Sequence, residues 1–344
     1  MLYLVTPLNL NYFWNFGSLL IFFLCNQLLS GILLSFHYIN FIDFSFWSIE
    51  HIMRDINFGW LFRYIHSNGA SFFFIFIYLH IARNLFYSNY RNLFVWFSGI
   101  CILFILMAIS FLGYVLPFGQ MSLWGATVIT SLFSVIPFFG NFIVNLIWGS
   151  FSISSPTLSR FFSLHFILPF VLIALIFCHI LFLHVKGSTN PLGFIDSYSK
   201  ILFFIFYSIK DLLGIFVIGF IFCLFVFYFP NLFGDSDNYI EGNSLVTPLH
   251  IKPEWYFLFA YAILRAIPNK VFGVLGLVFS ILFLIFLPFI DIFNSRSFSF
   301  IKLVKFSCFV ICFILLSWLG SLPVNSLFSW LSLLIGGCYF LFLL

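Results

Sequence analysis

The sequence predicts an all-α, polytopic membrane protein of about eight transmembrane helices: a four-helix bundle followed by a C-terminal helical region. Three observations carry this. Hydrophobic residues make up 63% of the 344 residues and charged residues only 7%, against about 45–50% and about 25% in ordinary globular domains. Runs of about 20 apolar residues recur along the chain, the length needed to cross a bilayer. The few charges and histidines fall at the ends of those runs or repeat at fixed spacing within them. So few charges cannot cover a water-facing surface, which excludes a soluble enzyme, and the same apolar content excludes a disordered chain. Nothing points to nucleic acid as a partner; lipid is the expected surrounding.

The spans are expected at 15–38, 60–87, 93–117, 160–184, 212–229, 271–290, 301–319 and 327–344. Each is apolar all round, as a helix touching lipid and protein must be. Three longer connections remain, at 39–59, 118–159 and 230–270. The last two hold Pro, Gly and Trp clusters and are expected to contain short interfacial helices. The natural division is 1–211, the four-helix bundle, and 212–344, the C-terminal region. The N-terminus lacks a basic region and a small-residue cleavage site, so no cleavable signal is expected. Seven scattered cysteines include no CxxC pair, which argues against a zinc site or a covalently attached cofactor. Cys308 and Cys312, one helical turn apart, read as packing. The 58 Phe residues are expected to fill lipid-facing positions where any apolar residue serves.

Alternate loops share a side of the membrane. The side holding the N-terminus carries eight bases (Arg83, Arg91, Lys186, Lys200, Lys210, Arg296, Lys302, Lys305) and three acids (Asp196, Asp211, Asp291), a balance of +5. The other side carries six bases (Arg54, Arg63, Arg160, Lys252, Arg265, Lys270) and seven acids (Asp43, Glu50, Asp55, Asp235, Asp237, Glu241, Glu254), a balance of −1. Loops rich in Lys and Arg stay on the negative side, so the N-terminus is expected there.

Histidine inside a membrane helix is costly, and its positions are informative. The second span carries His66 and His80, the fourth His165 and His179, and both pairs are 14 residues apart. Fourteen residues return to within about 40° of the same helix face and rise about 21 Å. One span lies between these two, so they run parallel, with His66 level with His165 and His80 level with His179. Two facing imidazoles are what a six-coordinate haem requires, and two pairs in register predict two stacked haems. Arg63 and Arg83 stand three residues outward of His66 and His80, placed to meet propionates at the two membrane edges. Gly17 and Gly31, and Gly99 and Gly113, repeat the 14-residue spacing on the first and third spans, where a missing side chain lets a flat macrocycle approach. Close helix packing would also use them. Pro169, between His165 and His179, is expected to bend its helix.

Several stretches resemble the mitochondrial-type cytochrome b family, the haem-bearing subunit of quinol–cytochrome c oxidoreductase (bc1, complex III). They are WNFGS (14–18), RYIHSNGAS (63–71), GYVLPFGQMSLWGATVIT (113–130), RFFSLHFILPF (160–170), GSTNPLG (187–193) and HIKPEWYFLFAYAILRAIPNK (250–270). The resemblance implies two non-covalent haem b, the low-potential one on His66 and His165 and the high-potential one on His80 and His179. It implies quinol oxidation on the positive side at PEWY (253–256), with Glu254 as proton acceptor and Tyr261 beside it. Phe111, Tyr114, Gly125, Ile129, Pro253 and Phe257 would line that pocket. On the negative side it implies quinone reduction at His184, Lys210, Asp211 and Ser18. A helix-end cap by His184 is the alternative. His37, His51 and His250 have no register partner. The implied substrate is ubiquinol and ubiquinone; the implied partners are the Rieske iron–sulfur protein, cytochrome c1 and further subunits of a dimeric complex. The implied location is the mitochondrial inner membrane, with the N-terminus in the matrix. Departures from the family pattern are Phe118 where LPWGQ is usual, and Ala82 and Asn84 where glycines usually flank Arg83. The N-terminus is too short for the amphipathic helix of many relatives. A diheme membrane reductase of another class, ferric reductase or NADPH oxidase, is the competing reading. It would need a flavin and nicotinamide domain, and the sequence has no GxGxxG.

Overall fold

The computed structural model describes residues 4–193, 198–290 and 299–343. Asp196, Asp291 and Arg296, used in the charge count, lie outside the described residues. Among the described residues, eight helices are long and apolar enough to cross a membrane, matching the expected spans within a few residues except at two starts. In chain order the helices are α1 (Phe16–Ser35), α2 (Ile42–Arg54), α3 (Gly59–Phe86), α4 (Leu93–Val115), α5 (Gln120–Ser131), α6 (Gly140–Trp148), α7 (Ser155–Lys186), α8 (Phe203–Tyr228), α9 (Leu258–Ala266), α10 (Lys270–Ile290), α11 (Phe300–Ser321) and α12 (Ser326–Leu343). Strands β1 (Val5–Pro7) and β2 (Lys200–Leu202) pair antiparallel, with Thr6 opposite Ile201.

Three differences from the sequence reading have physical causes. The connection at 39–59 also holds a helix, α2, braced by the i,i+4 ion pair Arg54–Glu50 at 2.6 Å and an i,i+4 hydrogen bond between His51 Nδ1 and Asp55 at 2.7 Å. Helix α8 starts nine residues earlier than expected, because 203–209 is apolar and the charged pair Lys210–Asp211 is carried inside the helix rather than ending it. The division after residue 211 therefore falls within a continuous helix. Helix α7 starts five residues early and runs unbroken through Pro169.

Two helix pairs build the N-terminal bundle: α1 against α3, and α4 against α7. Gly69 permits the first approach, since a Cβ there would strike Gln27 and Asn26 of α1. Asn26 donates to Ile65 O at 3.4 Å and Gln27 to His66 O at 3.0 Å, satisfying polar groups that lipid could not. In the C-terminal region α9 is the hub, packed by α10, α11 and α12. The regions interlock through Trp96, whose indole donates to Leu284 O at 2.8 Å, and through α11 against α3. Phenylalanine is used on both sides of the fold. Phe94, Phe177 and Phe216 are exposed as expected, but Phe23 is fully buried and meets Phe72, Phe76 and Phe222 at centroid distances of 5.4–5.6 Å. Lipid-facing filling thus accounts for only part of the Phe excess.

The start of α7, which carries two of the register histidines, is held by Thr157. Its fully buried hydroxyl donates to Trp148 O at 2.6 Å and accepts from Ser154 N at 3.2 Å. Thr157→Val keeps the shape and strands both backbone groups, at a cost of about 1–3 kcal/mol. It should lower the midpoint of thermal inactivation of the assembled protein; an unchanged midpoint would count against the clasp.

Candidate functional site

The four register histidines face each other as the spacing predicts. The rings of His66 (α3) and His165 (α7) have centroids 6.1 Å apart, and those of His80 and His179 are 6.5 Å apart. Two imidazoles bound through nitrogen at about 2.0 Å to one metal would place their centroids about 6.3 Å apart. Three of the outer Nδ1 atoms face oxygens on the flanking helices: His66 meets Ser30 Oγ at 3.0 Å, His165 meets Ile109 O at 2.8 Å, and His179 meets Ser98 Oγ at 2.8 Å. That leaves the Nε2 atoms for the space between α3 and α7. All four glycines lie against these rings. A Cβ at Gly113 would overlap the His165 ring; at Gly31 it would lie 3.0 Å from His66 Cε1, at Gly99 3.2 Å from His179 Cε1, and at Gly17 4.0 Å from His80 Cε1.

His80 differs. Its Nδ1 lies 3.3 Å from Arg83 Nη2, while Arg83 Nε is buried without a hydrogen-bond partner among the described residues. The guanidinium also stacks over Trp14 at 5.1 Å, and Trp14 Nε1 is a second buried, unpartnered donor. Two adjacent orphan donors are what an anionic group such as a propionate would satisfy. Asn84, at a position usually occupied by glycine, donates to His80 O at 2.9 Å. Imidazole pairs at this separation, flanked by small residues and unpaired donors, fit a haem at each level.

On the expected positive side, a cavity of ≈ 510 Å³ joins the His66–His165 pair to Tyr114, Glu254 and Tyr256, with Arg63 in its wall. That volume suits a small organic ligand. Glu254 is carried on a loop stitched down from both flanks. Trp255 Nε1 donates to Ser71 Oγ at 3.1 Å, Tyr78 donates to Tyr256 O at 2.5 Å, and the Tyr256 ring stacks on Phe74 at 3.9 Å. Further out, Gln120 donates to Val246 O at 3.0 Å and accepts from Asn243 N at 2.9 Å. Phe118 stands in left-handed backbone (φ 54°) and is buried; without an indole N–H, it joins the loop through its carbonyl, which accepts from Gly242 N at 2.9 Å. Burial pushes the Glu254 carboxyl up to about 7; the Tyr114 hydroxyl, Arg63 and Lys252 pull it down, and Asp235 pushes it further up. The other pocket expectations are not in the wall of this cavity. Phe111 packs on Phe161 at 5.9 Å, Phe257 lies 6.0 Å from Phe74, and Tyr261 donates to Ile251 O at 3.1 Å beneath Arg265. Gly125 and Ile129 sit on α5, and a Cβ at Gly125 would meet nothing within 4 Å. Pro253 precedes Glu254 in the same loop, outside the cavity wall.

At the opposite end Ser18 Oγ donates to the Asp211 carboxylate at 2.8 Å, and Lys210 Nζ donates to Leu10 O at 2.7 Å over the Tyr12 ring at 4.5 Å. His184 is exposed on the last turn of α7 and makes no hydrogen bond among the described residues. The structure thus couples Ser18 to Asp211 and leaves His184 apart from them. Sequence reasoning missed Ser30 and Ser98, whose signal is a repeated Ser-Gly-Ile (30–32 and 98–100), and it missed the stitching by Ser71, Tyr78 and Gln120.

Comparison with known proteins agrees with this geometry. The family described as cytochrome b/b6/petB matches residues 1–187, and cytochrome b (C-terminal)/b6/petD matches 241–340. The chain is 53% identical over 343 residues to "Cytochrome b" of Apis mellifera ligustica, covering 99% of this chain and 89% of that one. It is 51% identical over 340 residues to "Cytochrome b" of Cyanidium caldarium, covering 97% and 88%. The solved structure "Hyperthermophilic respiratory Complex III" superposes with a TM-score of 0.91 at 31% identity, over 98% of this chain and 91% of its own. The ferric reductase and NADPH oxidase alternative is not favoured by these matches. With both halves matched and the histidine pairs in register, the chain belongs to the cytochrome b family, the haem-binding membrane subunit of the quinol–cytochrome c oxidoreductase complex.

Proposed function

We propose that this chain is the diheme catalytic subunit of that complex. It holds two non-covalent haem b, oxidises ubiquinol on the positive side and reduces ubiquinone on the negative side. The Rieske iron–sulfur protein, which takes one electron from the quinol, and cytochrome c1 are its partner subunits, in a dimeric, lipid-embedded assembly. The proposed setting is the mitochondrial inner membrane with the N-terminus in the matrix, as the charge asymmetry of the loops favours. The observation that carries the proposal is the two imidazole pairs at 6.1 and 6.5 Å, the first sharing a cavity with Glu254.

When bound, the haems supply one-electron transfer across the membrane. The chain's own residues bind, orient and move protons. His66 with His165 and His80 with His179 are the ligand pairs; Arg63 and Arg83 supply positive charge at the two edges. Glu254 accepts a proton from the quinol hydroxyl, a role suited to a carboxyl titrating near neutrality. The Phe74–Tyr256 stack and the apolar cavity wall keep water from that proton's path. At the other end Asp211, held by Ser18, delivers protons, with Lys210 and His184 as donors towards a quinone oxygen. The bundle at 1–211 carries the haems in this reading, and 212–344 completes the quinol pocket with 253–256.

Three tests follow. A reduced-minus-oxidised spectrum of the purified complex should show b-type bands from two haems; their absence would sink the proposal. Gly113→Ala, which drives a methyl into the His165 ring, should remove the haem held with His66, whereas Gly17→Ala at 4.0 Å should leave haem content close to wild type. Equal haem loss in both would contradict the cradle. For Glu254, the proton-accepting form fills as pH rises, so quinol oxidation should climb towards a plateau as pH passes about 7. Glu254→Gln should lower and flatten that profile; a profile of unchanged shape would remove Glu254 from the proton path.

A further inference from the structure

The outer nitrogens of the four imidazoles are not treated alike. His165 Nδ1 faces a backbone carbonyl, Ile109 O, at 2.8 Å, and His80 Nδ1 faces Arg83. His66 and His179 face hydroxyls in addition to a backbone carbonyl: Ser30 Oγ at 3.0 Å beside Gln27 O, and Ser98 Oγ at 2.8 Å beside Val95 O. Each hydroxyl has already given its one proton to the preceding helical turn. Ser30 donates to Asn26 O at 2.6 Å, and Ser98 donates to Phe94 O at 2.7 Å. A serine whose proton is committed can only accept from an imidazole. Nδ1 of His66 and of His179 therefore carries the hydrogen, and the Nε2 lone pair is free for a metal.

The two serines occupy matching settings on different helices. Each is followed by a glycine that lets the imidazole rest against the helix, and then by isoleucine: Ser30-Gly31-Ile32 on α1 and Ser98-Gly99-Ile100 on α4. Each histidine pair receives one such unit, Ser30 serving the pair at 6.1 Å and Ser98 the pair at 6.5 Å. An acceptor on Nδ1–H gives the imidazole partial anionic character and makes Nε2 a stronger donor, which favours the more highly charged, oxidised metal.

We propose that Ser30 and Ser98 are positioning residues, one for each iron, that fix the ligating tautomer of His66 and His179 and hold down the reduction potential at that site. This rests on the diheme reading above. If the wild-type complex lacked two b-type haems that reading would fail first, whereas two haems indifferent to these serines would overturn only the present inference.

The test is a redox titration of both haems in the assembled complex, with low-spin electron paramagnetic resonance to report imidazole orientation. Ser98→Ala should raise the midpoint of the haem on His80 and His179 alone, and Ser30→Ala that of the haem on His66 and His165 alone. The expected size is up to about tenfold in the oxidised-to-reduced ratio, about 59 mV for one electron. Ser98→Thr and Ser30→Thr, which keep the hydroxyl, should restore the wild-type midpoint and resonance. Retained haem with an unmoved midpoint and spectrum, or equal shifts at both haems from one substitution, would overturn the proposal. So would haem loss without a shift in what remains, since that is the mark of a merely structural serine. Should Ser30→Ala fail to assemble, Ser98→Ala and the two threonine variants decide.

Discussion

An imidazole buried among apolar helices has two nitrogens to satisfy, and here the surrounding helices offer a partner to only one of them. The bundle is arranged around that deficit. For three of the four register histidines, the outer nitrogen is met by an oxygen from α1 or α4, and the inner nitrogen is left for whatever lies between α3 and α7. The flanking helices must then come close enough to supply the oxygen, which requires glycine beside the rings of His66, His165 and His179. The pairing of α1 with α3 and of α4 with α7, and the sparing contact between α3 and α7, follow from this one requirement.

The same economy governs the cavity beside Glu254. A carboxyl cannot be buried in an apolar wall without losing its charge or acquiring partners. Glu254 sits between these outcomes: burial raises it to about 7, while Tyr114, Arg63 and Lys252 keep ionisation within reach. Its loop is held by hydrogen bonds to α3 on one flank and to α5 on the other, so the carboxyl's position is set by elements that belong to the haem bundle. The sites are joined by rigid contacts as well as by open space.

Much of this was legible in the sequence. Histidine is rare enough in membrane spans that two pairs at equal spacing specify both the helix face and the facing partner, and the four glycines repeat that register. The eight spans follow from hydropathy, which in a bilayer is nearly the whole determinant of topology. What escaped depended on tertiary partners. The early start of α8 was hidden because Lys210 and Asp211 read as loop charges, while Leu10 O and Ser18 satisfy them inside the helix. Helix α2 was missed because its 13 residues, with Asp43, Glu50 and Arg54 among them, are too short and too polar to stand out among the long apolar runs. The roles of Ser30, Ser98, Ser71 and Tyr78 are hidden for a plainer reason: a hydroxyl in an apolar run most often bonds back to its own helix. Ser30 and Ser98 do so too, and the second bond that matters is visible only in three dimensions.

The strand pair ties the beginning of the chain to its middle. Val5–Pro7 pairs with Lys200–Leu202, and the Tyr207 hydroxyl donates towards Pro7 O at 2.8 Å and Leu8 O at 2.7 Å. During synthesis the first strand has no mate until residue 200 is made, about 10–40 s later at 5–20 residues per second. By then the four helices that carry and flank the histidines have all been synthesised. The N-terminal segment is thus the first part of the polypeptide to exist and among the last to find its place. Its capture serves as a latch that can close only over a finished bundle.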